Sequence, residues 1–195
     1  MEFFYNYENP KKYALSSDEM AYLNPGALII TYDELNKIDD INELFDKYDR
    51  IVILYLLRSK TDGHWVCLFK NRAGEINYFD SYGYPLDHHL DNLTPYQRAE
   101  YDEKQKRLKY LLKDYDVIDN NIILQGPNTK TCGMHTTYRL HNYQLPEKHF
   151  IDRMIDNGIT DPDQFVGEYC MKRLKNMPND FKAEIRDQSF LEGQL

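Results

Sequence analysis

The feature that most constrains the fold is the continuous apolar run Arg50-Ile-Val-Ile-Leu-Tyr-Leu-Leu57, which is rich in β-branched residues. Such a run is typical of a strand that is covered on both faces of a sheet. A short strand at Ala27–Tyr32 precedes it. Two further strands, His64–Phe69 and Glu75–Asp80, follow as a hairpin around Asn71–Gly74. We therefore expect a β-sheet with helices packed against it.

Helical spacing of apolar residues or capping side chains mark the remaining segments. The predicted helical segments are Ser17–Leu23 (capped by Ser16 or Ser17), a stretch capped by Asp33 that contains Leu35, Ile38, Ile41, Leu44 and Phe45, Thr94–Tyr115, Cys132–Tyr143, Pro146–Asn157 and Asp161–Asn176. Residues 1–25 are predicted to form an N-terminal arm, and residues from about 178 to 195 a polar C-terminal tail. No linker divides the chain, so we expect one α+β domain over residues 1–195.

Charge and hydropathy exclude several classes of protein. The net charge is −8, so there is no overall basic field for nucleic acid or an anionic membrane surface. No apolar stretch approaches the roughly 18–20 residues of a membrane span, and the N-terminus lacks the pattern of a signal peptide. Cys67, Cys132 and Cys170 are odd in number and widely spaced, unlike a disulfide framework or a zinc knuckle. We expect a soluble protein of a reducing compartment.

The stretch Ile122–His135 carries the first sign of chemistry. It is predicted as a strand through Gln125, a Gly-Pro turn with a short polar loop, and a helix that begins at Cys132. Free backbone N–H groups and the helix dipole favour the thiolate of a cysteine in that position. Gly133 permits close approach of another backbone. A small free cysteine is equally an ordinary core residue, so this stretch alone leaves both interpretations open.

His64 and Asp80 lie at the same open end of the predicted hairpin. If residue 69 pairs with 75 and residue 67 with 77, then Asp80 lies opposite His64, with Cβ atoms about 4.5–5.5 Å apart. A carboxylate there can accept the imidazole N–H, which leaves the other ring nitrogen for a thiol. Gln125, seven residues before Cys132, can supply a donor to the oxyanion of acyl transfer. Each residue alone also has an ordinary structural explanation.

The order of these residues resembles a known family. His64-Trp65, Asp80-Ser81-Tyr82-Gly83, Gln125 and Cys132-Gly133 resemble the motifs of the adenain-like cysteine proteases. That group includes the adenovirus endopeptidase and shares its fold with the SUMO- and NEDD8-specific proteases. The resemblance extends from about Ile51 to Leu140. It implies a papain-like α+β fold with a mixed β-sheet packed against helices and the nucleophile at a helix N-terminus.

The resemblance also implies a role for each residue. Cys132 is the nucleophile, and its N–H completes the oxyanion hole. His64 is the general base and acid, Asp80 orients it, and Gln125 is the oxyanion donor. Trp65 packs beside the catalytic histidine, and Trp65 and Gly133 are the expected substrate-binding residues.

The interval between Gln125 and Cys132 and the compact size suit the viral branch, that is, capsid-maturation proteases of adenoviruses, virophages and polinton-type elements. This implies viral capsid or other precursor polypeptides as substrates, small residues such as Gly before the cut, and a monomer. The implied location is the virion and the host-cell virus factory, without secretion. No cofactor and no membrane partner are expected.

The adenovirus enzyme is activated by DNA and by a disulfide-linked peptide. The net charge does not support DNA here, neither Cys67 nor Cys170 matches the peptide-linking position, and a peptide or nucleic-acid activator stays open.

Other interpretations remain open from the residues themselves. A protease that deconjugates ubiquitin-like proteins after Gly-Gly would use the same machinery, as would acyl transfer to an acceptor other than water. A non-catalytic binding module of the same fold is another class.

Cys132, His135 and His64 could contribute to a metal site, but no second pair completes a tetrahedral set, so no metal is expected. His135 is expected to pack or bond within its helix, and His88-His89 to lie in an exposed polar loop.

Overall fold

The computed structural model describes residues 9–59, 62–100 and 106–181. Within these ranges one sheet contains β1 (Leu28–Thr31), β2 (Arg50–Ser59), β3 (Asp62–Lys70), β4 (Ile76–Phe79) and β5 (Val117–Asp119). The helices are α1 (Ser17–Leu23), α2 (Asn42–Phe45), α3 (His88–Asp91), α4 (Pro95–Glu100), α5 (Arg107–Leu111), α6 (Cys132–His141), α7 (Glu147–Asp156) and α8 (Pro162–Leu174). Short 3₁₀ segments cover Pro10–Lys12 and Tyr32–Lys37.

The strands lie in chain order across the sheet. β1 is parallel to β2 and β4 is parallel to β5, whereas the β2–β3 and β3–β4 pairs are antiparallel. The sheet is therefore mixed and the protein is α+β, as predicted. The apolar run that begins at Arg50 forms an internal strand, which also confirms the prediction.

Both faces of the sheet are covered by helices. Alternate residues such as Val52 and Cys67 belong to a core with α1, α6, α7 and α8. Their neighbours, such as Ile53 and Val66, belong to a second core with α2, α3, α5 and the 3₁₀ segment after β1. Because side chains alternate along a strand, β2 and β3 contribute to both cores and lie between two layers of helices.

The predicted register of the β3–β4 hairpin is wrong by two residues. Phe69 pairs with Asn77, not with residue 75, and Cys67 pairs with Phe79, not with residue 77. Side chains alternate with a period of two, so an even displacement leaves every side chain on its predicted face.

The turn of this hairpin explains the displacement. The N–H of Asn71 donates to the carbonyl of Glu75, and the Asn71 side-chain oxygen accepts from the N–H of Glu75, each at 3.1 Å. These bonds place Asn71 opposite Glu75. When this register is continued along the strands, His64 and Asp80 are diagonal neighbours on one face of the sheet. The distance between diagonal neighbours can still be bridged by long side chains.

The strand predicted over Ile122–Gln125 is absent, and this prediction is wrong. β5 ends three residues earlier, and the chain then leaves the sheet because Asn120 binds the backbone of Asp80 in both directions, at 2.7 Å each. The N–H of Gln125 donates to the carbonyl of Ser81 at 2.9 Å. The segment runs instead across the end of the sheet.

Helix boundaries follow the sequence in most places. Ser16, one of the two predicted caps, caps α1, and it forms a capping box with Glu19. The segment after β1 is capped by Thr31 and not by Asp33, because the Thr31 N–H donates to Glu34 at 2.7 Å. It also divides into a 3₁₀ segment and α2. The predicted helix over residues 94–115 contributes α4 and α5.

Parts of these predictions lie outside the described residues. They are residues 1–8 of the arm, 60–61 in the turn between β2 and β3, 101–105 between α4 and α5, and 182–195 of the tail. Among the residues that are described, no helix is both long and apolar enough to cross a membrane.

Candidate active site

Cys132 is the first residue of α6, as predicted. Thr131 precedes the helix, and its carbonyl accepts the N–H of His135 at 2.9 Å. The N–H groups of the first helical turn have no acceptor within the helix. The residue as a whole is 8% exposed. It therefore lies at the electropositive end of a helix with limited access to solvent.

The environment of Cys132 favours the thiolate. Burial disfavours the charged form, but a hydrogen bond and the charge of His64 outweigh it, assisted by the backbone N–H groups of Trp65 and Gly133. The pKa of the Cys132 thiol consequently lies below its ordinary value. Burial instead raises the pKa of Cys67 well above the ordinary value and that of Cys170 to about 12. The electrostatic environment thus distinguishes Cys132 from the other two thiols.

His64 lies in β3, opposite Tyr55 of β2. Its ring stacks on Tyr82 with centroids 5.0 Å apart, and its Nε2 lies 2.9 Å from Asp80 Oδ1. Burial favours the neutral ring, but the Asp80 carboxylate and Cys132 outweigh it and raise the pKa of His64 to about 10. A protonated His64 therefore lies beside a thiol whose own pKa is lowered, and this arrangement favours a thiolate–imidazolium pair.

Asp80 is fully buried directly after β4. Its Oδ1 accepts from His64 and from the N–H of Tyr82 at 2.8 Å, and its Oδ2 lies 2.6 Å from Nε2 of His89. Burial favours the neutral acid, but the charge of His64 and the hydrogen bonds of both histidines outweigh it and hold the pKa of Asp80 well below its usual range. The carboxylate is ionised and held on both oxygens.

His89 was predicted to lie in an exposed loop, and that prediction is wrong. It is buried in α3, with its ring centroid 4.3 Å from that of His64. α3 follows Asp87, which adopts left-handed backbone geometry with φ 61°. The Asp87 carboxylate accepts from the Tyr32 hydroxyl at 2.7 Å and from the N–H of Lys109 at 2.8 Å. These distant contacts turn the start of α3 inward, and no sequence periodicity indicates them.

Gln125 is buried beside the same site. Its Oε1 accepts from the Ser81 hydroxyl at 2.7 Å, and its Nε2 donates to the Thr129 carbonyl at 3.2 Å. Because Ser81 holds the amide oxygen, the orientation of the amide NH₂ is set. Ser81 belongs to the Asp80-Ser81-Tyr82-Gly83 motif, but no local sequence pattern indicates its contact with Gln125.

A cavity of about 890 Å³ brings the predicted residues together. His64, Trp65, Gln125 and Cys132 all line it. The arm forms one wall and the loop before α6 forms another; their lining residues are Lys12, Ala14, Leu15, Ser16, Ser17, Pro127, Asn128, Thr129 and Lys130. The thiol therefore lies on the lining of one cavity together with His64 and Gln125.

Trp65 and Gly133 have different positions. Trp65 lines the cavity, and its Nε1 donates to the Leu15 carbonyl of the arm at 3.2 Å. Gly133 lies beneath the lining, where an added Cβ would be 3.0 Å from both Met20 Sδ and Trp65 Cδ1. Gly133 therefore permits close packing of α6 against Met20 and Trp65, and its role in substrate binding stays a prediction.

His135 is buried in α6, as the expected packing requires, but its hydrogen bond reaches outside its own helix. Its Nε2 lies 3.0 Å from Asp163 Oδ1 in α8. Asp163 also accepts from the N–H of Gly126 at 2.8 Å, from the Thr129 hydroxyl at 3.2 Å and from the Thr131 hydroxyl. These donors outweigh burial and lower the pKa of Asp163 to about 2. One carboxylate thus anchors the whole loop that leads into α6.

The residues that could share a metal ion are those of the acid–histidine cluster. In the described parts of the chain, the ligand atoms of His64, Asp80 and His89 lie within 4.8 Å of one another. The same atoms are engaged in the hydrogen bonds given above, so an ion there would displace them. The alternative set of Cys132, His135 and His64 is not assembled, because His135 directs its Nε2 to Asp163.

Comparisons with known proteins give one relative and several distant likenesses. No family model matches the sequence. The structure is similar to ChlaDub1 from Chlamydia trachomatis, with a TM-score of 0.48 and 14% identity over 87% of this chain and 95% of that one. It is also similar to a de-sumoylating protease, with a TM-score of 0.36 and 12% identity over 87% of this chain and 78% of that one.

The relative comes from a virophage. Over 164 residues the chain is 30% identical to the uncharacterized protein V9 of Sputnik virophage, a match that covers 80% of this chain and 93% of that protein. A virophage relative fits a viral origin. The chain belongs to the same family as the V9 protein of Sputnik virophage.

Proposed function

We propose that this protein is a cysteine endopeptidase of the papain-like, adenain-like type. The observation that carries the proposal is a helix-start thiol, Cys132, that interacts with His64, whose ring is bonded to the buried Asp80. Gln125 lies on the lining of the same cavity. Nucleophile, base, orienting carboxylate and oxyanion donor are the parts that cysteine acyl transfer requires.

Acylation begins from the ion pair. The Cys132 thiolate attacks the scissile carbonyl carbon, and the carbonyl electron pair moves onto oxygen. Gln125 Nε2 and the N–H of Cys132 donate to this oxyanion. The His64 imidazolium then protonates the leaving amine, the C–N bond breaks, and a thioester remains. Asp80 holds the ring orientation throughout.

Deacylation uses the same residues in reverse. His64, now neutral, takes a proton from water as the water oxygen attacks the thioester carbonyl. The tetrahedral intermediate expels the Cys132 thiolate and releases a carboxylic acid product. The imidazolium–thiolate pair is thereby restored, and no cofactor takes part.

The proposed substrates are viral precursor polypeptides, such as capsid proteins, cut after small residues such as Gly. The virophage relative supports the viral setting. A small residue before the cut fits the surroundings of the thiol, since Trp65 lines the cavity and its backbone contacts Cys132. We propose that a monomer acts in the virion and the host-cell virus factory.

Cleavage of structural-protein precursors tests the proposal. The purified full chain is incubated with precursor polypeptides, and the products are identified by mass spectrometry. We expect cleavage that Cys132→Ala and His64→Ala abolish. Cys170→Ala is the matched control, because Cys170 is buried between α8 and α6, away from the cavity lining. A Cys132→Ala protein with full biological activity would favour a binding module.

Intact ubiquitin-like conjugates supply the second arm of this test. A protein that cuts the conjugates but no precursor polypeptide would be a deconjugating protease that uses the same residues. Precursor cleavage without conjugate cleavage supports the endopeptidase. Transfer of the acyl group to an added amine, in place of hydrolysis, would identify a transferase.

A further inference from the structure

A second histidine, His89, binds the carboxylate of the candidate triad, and the reaction steps above do not use it. Its Nε2 lies 2.6 Å from Asp80 Oδ2, while His64 Nε2 lies 2.9 Å from Oδ1. All three side chains are buried, with exposed fractions of 4%, 0% and 3% for His89, Asp80 and His64. Each oxygen of the carboxylate therefore has its own imidazole.

The two histidines carry different charges. Burial and the charge of His64 lower the pKa of His89, although Asp80 opposes this. The His89 ring is also surrounded by His88, Tyr55 and Tyr84, and none of these supplies a negative charge at neutral pH. A neutral imidazole that donates to a carboxylate from Nε2 carries its single proton on that atom.

A donor on Oδ2 limits rotation of the carboxylate about its Cβ–Cγ bond. Without it, Asp80 could turn, and Oδ1 would no longer lie on the line to His64 Nε2. The backbone N–H of Tyr82 also holds Oδ1, at 2.8 Å. Oδ1 is thus held by His64 of β3 and by the turn after β4, and Oδ2 is held by His89 of α3.

We propose that His89 is a positioning residue, which as a neutral Nε2–H donor holds the Asp80 carboxylate in the orientation that His64 requires. The resulting relay runs from Cys132 through His64 and Asp80 to His89. This proposal rests on the cysteine–histidine chemistry proposed above and extends it by one residue. It assigns His89 to the hydrogen bond and not to ring packing.

Two substitutions separate the donor from the ring. His89→Gln keeps a neutral N–H donor at a similar reach and removes the ring. His89→Phe keeps the ring contacts with His64 and Tyr55 and removes the donor. Circular dichroism and thermal unfolding of the full chain show whether each variant is folded.

The first readout needs no substrate. The rate of iodoacetamide alkylation at Cys132 is followed against pH by mass spectrometry. We expect His89→Phe to move this profile to higher pH by about one unit, because His64 holds its proton less tightly and stabilises the thiolate less. His89→Gln is expected to keep the wild-type profile. Peptide cleavage, the second readout, should fall by about 10- to 100-fold in His89→Phe only.

The opposite pattern overturns the proposal. If His89→Phe keeps the wild-type profile, or if His89→Gln loses as much as His89→Phe, the hydrogen bond is not what His89 contributes. If His89→Phe does not fold, the ¹⁵N NMR spectrum of the wild-type imidazoles decides. A neutral His89 protonated on Nε2 at pH 7 supports the proposal, and a charged ring or the Nδ1–H tautomer overturns it.

The two readouts also separate this inference from the proposed function. A shifted alkylation profile in a protein that cleaves no precursor would support the positioning role and count against the endopeptidase. Cleavage by a protein whose profile is insensitive to both substitutions would support the endopeptidase and remove His89 from the relay.

Discussion

At the scale of single residues, the site depends on how the charges of three buried groups stabilise one another. An isolated buried ion costs several kcal/mol, so it persists only beside a partner of opposite charge. Cys132, His64 and Asp80 form a line in which a protonated imidazole lies between an ionised carboxylate and a thiol whose ionisation it favours. Each ion stabilises its neighbour, which is why the pKa of the thiol falls and that of the imidazole rises despite burial.

Alkylation tests this charge pattern directly. Because the pKa of Cys132 is lowered and those of Cys67 and Cys170 are raised, limiting iodoacetamide should modify Cys132 well below pH 8 and leave the others unmodified. Mass spectrometry of each cysteine peptide gives the profile. His64→Ala should remove the reactivity at low pH. A Cys132 that titrates like a free thiol near pH 8.5 would contradict the ion pair.

Asp80→Asn tests the orienting carboxylate. An amide keeps the shape of the side chain but cannot stabilise the imidazolium, so the pKa of His64 should fall. We expect a residual rate, lower than wild type by about 10²- to 10⁴-fold in kcat/KM. Asp119→Asn, an exposed acid on β5, is the matched control. A wild-type rate in Asp80→Asn would show that Asp80 does not act on the reaction.

At the scale of elements, the loop before α6 depends on α8. Thr131 precedes α6, but its hydroxyl donates to Asp163 instead of capping the helix. The N–H of Gly126 and the ring of His135 converge on the same carboxylate. The distance between Gln125 and the thiol is therefore set by an acid in another helix.

Replacing Asp163 should loosen that loop. In Asp163→Asn one acceptor oxygen becomes a donor that faces other donors, so we expect the free energy of unfolding to fall by about 2 kcal/mol or more. Urea unfolding gives the value, and Asp156→Asn, exposed at the end of α7, is the control. Equal stability of the two variants would rule out an anchoring role.

The pH dependence of this effect has a defined sign. The pKa of Asp163 is about 2 in the folded chain and about 3.9 when unfolded. A lowered pKa stabilises the fold above the unfolded pKa, and the benefit is lost as pH falls. The stability difference between wild type and Asp163→Asn should thus shrink by about 2 kcal/mol between pH 4 and pH 2. Unfolding in urea across this range measures it, and a constant difference would contradict the lowered pKa.

At the scale of the whole molecule, the N-terminal arm completes the cavity. Pro10 packs against Gly167 of α8, and the Lys11 carbonyl accepts the N–H of Lys130 at 2.8 Å. Lys12 donates to the Asn128 carbonyl at 2.7 Å. The arm therefore joins α8 to the loop before α6 and forms one wall of the proposed substrate site.

Gly167→Ala tests this packing, because helix propensity alone and the contact with Pro10 predict different effects of the added methyl group. Alanine normally stabilises a helix interior by about 1 kcal/mol relative to glycine. Here the added Cβ would lie 2.6 Å from Pro10 Cβ, so the arm must shift. We expect a higher KM for peptide cleavage with little change in Cys132 alkylation. Glu168→Ala, at an exposed neighbouring position, is the control. Unchanged KM with raised thermal stability would contradict the role of the arm.

Much of the fold could be predicted from local patterns. The strand after Arg50, the cap at Ser16 and the start of α6 at Cys132 depend on hydrophobic periodicity and capping chemistry within a few residues. The pairing of His64 with Asp80 was expected for a related reason, because both lie near one end of a hairpin. The predicted register was wrong because the Asn71 side chain accepts the N–H of Glu75 and places Asn71 opposite Glu75. Phe69 consequently pairs with Asn77 and not with residue 75.

The sequence by itself therefore determined most of the elements, although not the course of the chain over Ile122–Gln125 or the helix α3, together with the position of the thiol at a helix start and the residues that meet around it. Only the tertiary structure decided that His89 reaches Asp80, that Asp163 holds the loop before α6 and that Gly133 packs under the cavity. These contacts join residues from different elements, and their side chains carry no periodic signal. Hydrogen bonds of that kind depend on three-dimensional placement, which local propensity does not encode.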